Sequence, residues 1–256
     1  MEAPSYAHSQ LASKNGPSAD DISDQLKFIR KVYTILAVQL TLTAGAIAAV
    51  QMQRVFDADG KEIESPFRDF MQYGAGVPLL IVAFIGYIVI ICMLSCCFGR
   101  TAPLNMILLM GFTVCMAYIL AAITIAYEQH IVIAAGATTA LVTVALTMYA
   151  MFTKTNIQVF FAMTWVIYLA MFPLLILCFI MRMPGLIMLY NCLGLLFYSL
   201  FLIIDTMMIC RSVEMEQKHG MGMAFGYDDY VLGALNLYLD IVMIFLYLLK
   251  IFGGRD

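Results

Sequence analysis

Seven long runs of the chain carry no charge, apart from one aspartate in each of the last two, and this feature constrains the fold most strongly. The runs are 32–53, 70–99, 101–127, 129–153, 155–181, 183–210 and 230–249. About 20 apolar residues in a helix cross the hydrocarbon core of a bilayer, where only a helix or a closed barrel satisfies the backbone. Charged residues make up 12% of the chain, about half the share of a soluble domain. The sequence therefore predicts an all-α membrane protein with seven transmembrane helices.

The runs also divide the chain. Residues 1–30 are polar and contain Pro, Ser and Asp, which predicts a disordered tail. Residues 31–253 form the predicted seven-helix domain, and 254–256 a short C-terminal tail. No cleavable signal pattern precedes the first run. Lys and Arg are more frequent on the side of the membrane where the N-terminus lies, which favours a cytosolic N-terminus. No soluble domain interrupts the runs, so we expect the lipid bilayer, and not nucleic acid, as a partner.

The residues that catalysis would require are absent from the apolar runs or poorly placed. The three histidines, His8, His130 and His219, lie in the tail and in loops, so they cannot form a zinc site or a Ser-His dyad within the membrane. Neither a nucleophile motif of the Gly-x-Ser-x-Gly type nor a Gly-rich phosphate loop is present. We therefore expect neither an enzyme nor a cofactor.

The seven cysteines all lie inside or at the edge of the apolar runs. An odd number of cysteines at membrane depth does not form a disulfide framework. Cys96 and Cys97 lie beside Arg100, where they could be acylated. Small apolar side chains that fill a packed bundle are the simpler interpretation of both.

Two aspartates, Asp205 and Asp240, lie within the last two runs. A carboxylate at membrane depth costs about 2.5–3.5 kcal/mol even on insertion scales, and such residues usually mark an ion path, a proton relay or a counter-ion. Counting the helical rise per residue from the ends of the two runs places the carboxyl groups at membrane depths that differ by about 7 Å. Helix tilt would close this difference. We therefore take this pair as the candidate functional site.

Further polar and small residues follow the aspartates at helical spacing. Each run has a stripe at i, i+3, i+7 and i+14: Asn191, Gly194, Tyr198 and Asp205 in the sixth, and Gly233, Asn236, Asp240 and Tyr247 in the seventh. Each stripe occupies one helix face, so two adjacent helices would form a polar seam. Such residues also hold membrane helices together, and this interpretation is favoured for the asparagines and glycines. It is weaker for the aspartates, because an amide would do the same without ionising.

Several segments resemble the transmembrane Bax-inhibitor-motif family, specifically its Lifeguard branch. The most specific is Asn236-Leu237-Tyr238-Leu239-Asp240-Ile241, and three others support it: Phe28-Ile29-Arg30-Lys31-Val32-Tyr33, Leu146-Thr147-Met148-Tyr149-Ala150 with Thr153-Lys154-Thr155, and Phe201-Leu202-Ile203-Ile204-Asp205-Thr206. The resemblance covers roughly residues 28–253. Many relatives have Tyr-Asp-Thr-Gln where this chain has Ile204-Asp205-Thr206-Met207, so the chain lacks two polar groups beside the aspartate.

The resemblance implies a central C-terminal helix surrounded by the other six. It also implies a pH-sensitive calcium leak in endomembranes that lowers stored calcium and restrains cell death. Calcium would be the permeant ion, Asp205 and Asp240 the paired sensor, and Arg100 the latch.

On this hypothesis the two carboxyl groups share a proton while the seam is closed, and deprotonation opens an acidic path that Asn236, Tyr198 and Asn191 help to line. Calcium would bind only transiently to Asp205 and Asp240.

Two other functions stay open at this stage. One is a seven-span receptor, although neither Asp-Arg-Tyr nor Asn-Pro-x-x-Tyr is present and the loops are short. The other is a non-conducting interaction protein that acts, by helix packing, on membrane proteins of the cell-death machinery or on another calcium channel. Ligand-stimulated signalling would identify the first, and an absence of calcium flux through the purified protein would favour the second.

Overall fold

The computed structural model describes residues 19–56, 62–98, 103–210 and 229–254. Eight α-helices make up most of this part: α1 Ala19–Met52, α2 Pro66–Tyr73, α3 Gly76–Met93, α4 Leu104–Thr124, α5 Gln129–Phe152, α6 Ile157–Met181, α7 Pro184–Cys210 and α8 Tyr230–Gly253. All of them except the short α2 are long and apolar enough to cross a membrane. The predicted class, an all-α protein with seven membrane spans, is confirmed.

The C-terminal helix α8 lies at the centre of the bundle. In its most apolar stretch 72% of the residues are buried, against 11% in α3. It packs directly against α7, α1, α5 and α4, while α3 packs on α4 and α6 packs on α7. The predicted central helix is therefore confirmed, with four helices in direct contact and two placed outside them.

Helix α1 begins at Ala19, so residues 19–30 are helical although the sequence predicted a disordered tail as far as residue 30. Phe28 and Val32, one turn apart, are buried against the core, and this burial extends the helix beyond the apolar run. An ion pair of 2.8 Å between Lys27 and Asp24 lies on the exposed side. The hydrophobic anchor was hidden from the prediction because the surrounding residues are polar.

The segment after α1 closes one end of the bundle. A short antiparallel ribbon of β1 Val55–Phe56 and β2 Glu62–Glu64 leads into α2. The buried side chain of Arg54 donates to the carbonyl oxygens of Ile125 and Tyr127, and Arg68 donates to that of Ile125 at 3.2 Å. The last carbonyls of a helix have no intrahelical partner and carry partial negative charge, so both arginines stabilise the end of α4.

Candidate functional site

Helices α7 and α8 bring the two predicted aspartates together. Asp205 and Asp240 are each only 6% exposed, and their carboxyl groups lie within hydrogen-bonding range of each other. The depth difference expected from literal helix lengths is therefore absent in the folded bundle. Within the described part of the chain, neither carboxyl group forms an ion pair with Lys or Arg.

The surroundings of the pair offer few hydrogen-bond donors. The Oδ2 atom of Asp240 is buried and has no hydrogen-bond partner among the described residues. Tyr198 is the phenol close enough to interact electrostatically with Asp240. Two adjacent buried carboxylates would repel strongly, and neither would have its hydration replaced. A proton held between the two carboxyl groups would remove the repulsion and would give the two groups a hydrogen bond in place of water.

Two tyrosines continue the seam below the carboxyl pair. Tyr198 lies seven residues before Asp205, and Tyr247 lies seven residues after Asp240, so antiparallel helices place the tyrosines at the same level. Their ring centroids are 5.8 Å apart. Gly194 leaves room for the ring of Tyr247, because a Cβ atom at position 194 would lie 2.4 Å from that ring. The predicted stripes on α7 and α8 therefore face each other.

Other predicted residues lie farther from the pair. Asn191 is buried on α7, but 14 residues of helix, about 21 Å, separate it from Asp205. Asn236 is half-buried on α8, one turn from Asp240. Their roles in lining a path stay predictions. Arg100 lies outside the described residues, so its role as a latch is also still a prediction.

Ile204 and Met207, where the resemblance implied polar side chains, lie at a helix interface. Both side chains are buried in an apolar cluster with Ala150 of α5 and Phe160 of α6. They therefore pack on the side of α7 that meets α5 and α6. Their apolar side chains fill that helix interface.

A second polar network was missed in the sequence. Thr43 of α1 donates to the backbone oxygen of Gln39 at 2.8 Å, so its oxygen accepts the hydroxyl proton of Tyr238, also at 2.8 Å. Gln39 in turn donates to Thr113 of α4 at 3.0 Å. Tyr238 and Asp240 are two residues apart, on nearly opposite faces of α8. Gln39 and Thr43 are one turn apart in an apolar run, and this spacing was the sequence signal that could have indicated the network.

Seven membrane helices, one of them central, with two carboxyl groups meeting in the core, define a polytopic membrane protein with an ionisable site inside the bilayer. The family model described as "Inhibitor of apoptosis-promoting Bax1" matches residues 25–256. The chain therefore belongs to this family, and the resemblance seen in its motifs is confirmed.

Individual relatives agree with the family match. Protein lifeguard 3 of Homo sapiens and that of Mus musculus are both 30% identical to the chain, over 93% of its length and over 71% and 72% of their own. The Golgi anti-apoptotic protein of Vaccinia virus (strain Lister) is 30% identical over 89% of the chain and 85% of the viral protein. The family match covers nearly the whole bundle and includes both helices of the carboxyl pair.

Proposed function

We propose that this protein is a pH-sensitive calcium leak of endomembranes, gated by the carboxyl pair Asp205–Asp240. The observation that carries the proposal is the meeting of these two side chains, both buried, in the core of a membrane-spanning bundle. A structural contact between helices would need only hydrogen bonds, which amides supply without an ionisation cost.

The gate works by adding and removing the shared proton. While the proton is present, the pair carries at most one negative charge and the two helices stay together. When the proton leaves, two like charges in contact in a medium of low dielectric constant repel each other, and α7 and α8 separate around the pair. An arginine such as Arg100 would hold the seam closed in the proton's place by an ion pair.

The permeant ion follows from the chemistry of the ligands. Carboxylate oxygens suit Ca²⁺, which takes six to eight oxygen ligands in a resident site. Among the described residues, no three His, Cys, Asp or Glu side chains converge, so the pair supplies only part of such a shell. This incomplete set of ligands fits a permeant ion that binds only transiently, with Asn236, Tyr198 and Asn191 along its route.

The cellular role rests on the relatives. The viral relative is named a Golgi anti-apoptotic protein, and the family model is described by an inhibitory effect on an apoptosis-promoting protein. A calcium leak in an endomembrane lowers the calcium that the compartment can release. We propose that this protein restrains cell death in this way, with its N-terminus in the cytosol.

The test is calcium flux into dye-loaded liposomes that contain only the purified protein, measured across the physiological pH range. Flux should rise with pH in the wild type because deprotonation opens the seam. Asp205→Asn and Asp240→Asn should each change the flux and flatten its pH dependence, since a single remaining carboxyl group has no partner with which to share a proton.

Asp69→Asn is the matched control, because Asp69 is an exposed carboxylate on α2 and its loss should leave the pH profile unchanged. Equal profiles for the wild type and both pair variants would contradict the gate. An absence of flux at every pH, from protein shown to be folded, would contradict conduction and favour a non-conducting interaction protein.

A further inference from the structure

Apolar side chains close the seam between α7 and α8 on one side of the carboxyl pair. Ile209 lies one turn after Asp205 on α7, and Gly233 lies two turns before Asp240 on α8, so each residue shares a helix face with its aspartate. Both residues therefore lie between the pair and the end of the bundle where α7 ends and α8 begins. Because Ile209 is fully buried, a route from the pair to this end of the bundle passes its side chain.

Three helices meet at this position. A Cβ atom added to Gly233 would lie 3.6 Å from two carbon atoms of the Ile209 side chain and 3.6 Å from the Cγ2 atom of Val32 on α1. These are ordinary van der Waals distances, so the space in front of Gly233 has room for a methyl group and not for a hydrated ion. Val32 is also fully buried. We call Val32 and Ile209 together the apolar plug.

The first turns of α1 hold the apolar plug in place. Elsewhere α1 and α7 have few direct contacts, but here the side chain of Gln25 donates to the backbone oxygen of Cys210, the last residue of α7. The Nζ atom of Lys31 lies 5.2 Å from the ring centre of Tyr230, the first residue of α8, where a cation is attracted to the ring. One segment of α1 thus joins the end of α7 to the start of α8.

An ion that leaves the carboxyl pair toward this end finds no ligand at the apolar plug. Asn236 is the last polar side chain of the α8 stripe before Gly233. The side chains of Val32 and Ile209 offer no oxygen atom, and a hydrocarbon constriction blocks ions because water leaves it. Neither side chain titrates, so the plug stays apolar whether or not the pair holds its proton.

We propose that Ile209, together with Val32, is a hydrophobic gate in series with the carboxyl pair and limits the flux at every pH. This inference rests on the proposed function, since a gate implies an ion path. The carboxyl pair makes the opening of the seam depend on pH. The apolar plug sets how much calcium passes once the seam has opened.

The first experiment measures calcium flux into liposomes for two variants with opposite expected effects. Ile209→Ala removes most of the gating side chain and should raise the flux about tenfold at each pH. Its pH dependence should remain, because both aspartates are still present. Gly233→Ala adds a methyl group at ordinary contact distance from the plug and should lower the flux about three- to tenfold.

Ile204→Ala is the matched control for the loss of side-chain volume. Ile204 lies on the same helix and is as deeply buried as Ile209, but it packs in the apolar cluster with residues of α5 and α6. The same substitution there leaves the plug intact, so its flux should equal that of the wild type at every pH.

A labelling experiment tests the plug without requiring conduction. In an Asn236→Cys variant the introduced thiol lies between the apolar plug and the carboxyl pair, where a cationic methanethiosulfonate reagent needs a hydrated route to reach it. Peptide mass spectrometry on the full chain in nanodiscs separates this thiol from the native cysteines. Adding Ile209→Ala should raise the labelling rate about tenfold, and adding Ile204→Ala should leave the rate unchanged.

The two readouts separate the failure of the plug from the failure of the leak. Equal labelling rates with Ile209→Ala and with Ile204→Ala would overturn the plug, and so would a flux through Gly233→Ala as high as that of the wild type. Faster labelling in Ile209→Ala without calcium flux through any variant would support the plug as a barrier to water and cations but would contradict the proposed calcium leak.

Discussion

Replacing Gly194 by alanine tests how tightly α7 and α8 are held together beside the carboxyl pair. The added Cβ atom would lie 2.4 Å from two ring carbons of Tyr247 and 2.9 Å from a third, where carbon atoms prefer about 3.5–4.0 Å. The ring or the helix must therefore move by about 1 Å. Overpacking of this kind costs about 1–3 kcal/mol, and the higher helix propensity of alanine returns at most about 1 kcal/mol. We expect a net loss of about 1–2 kcal/mol.

The assay is equilibrium unfolding in mixed micelles, with Gly45→Ala as the control because a Cβ atom at Gly45 meets nothing within 4 Å. The control should be neutral or more stable by up to about 1 kcal/mol. Gly194→Ala should lower the Tm by about 2–8 °C. Tyr247→Leu in the Gly194→Ala background should recover much of the loss, since it removes the ring that the methyl group meets. Equal effects at the two glycines, or strict additivity with Tyr247→Leu, would refute the close approach of the two helices.

Two further predictions concern contacts that hold other helices in place. A double-mutant cycle of Thr43→Val and Tyr238→Phe should give a coupling energy of about 0.6–2 kcal/mol in unfolding experiments, and a value of zero would contradict the buried hydrogen bond. Arg54→Ala should destabilise the protein by about 1.5–3 kcal/mol, because the carbonyls of Ile125 and Tyr127 lose a charged donor. Arg54→Lys should recover only part of this loss, since one ammonium group cannot reproduce the two-pronged contact.

The seven spans were predictable from the sequence because the bilayer imposes one requirement on all of them. A run of about 20 residues without charge has no other stable conformation in lipid than a helix. The observed helices follow the predicted runs closely, and the largest difference is at the start of α1. There the helix is stabilised by the burial of Phe28, a tertiary contact that a search for charge-free runs cannot detect.

The pairing of Asp205 with Asp240 was predictable from the free-energy cost of a carboxyl group in the membrane and from the spacing of the polar residues on the two helices. A carboxyl group in the membrane needs a partner, and two stripes with the same spacing, each with one acid, leave few ways to provide it. The Tyr238–Thr43–Gln39 network was harder to predict, since its members are uncharged and single polar residues are common in membrane helices. The gap between α1 and α5 beside α8 depends on two helices that have few direct contacts with each other, which no local pattern in the sequence encodes.

The central position of α8 explains why this helix carries the site. The most hydrophobic of the seven spans, α3, is the least buried, whereas α8 is less hydrophobic and by far the most buried. A helix in contact with lipid must be apolar on nearly every face, but a helix surrounded by protein can carry polar groups where its neighbours provide partners. Asp240 meets α7 on one face and Tyr238 meets α1 on the other. A movement of α7 at the carboxyl pair therefore acts on a helix that is anchored on its opposite face, so the expected motion is a local parting of α7 from α8 while α8 stays bound to α1.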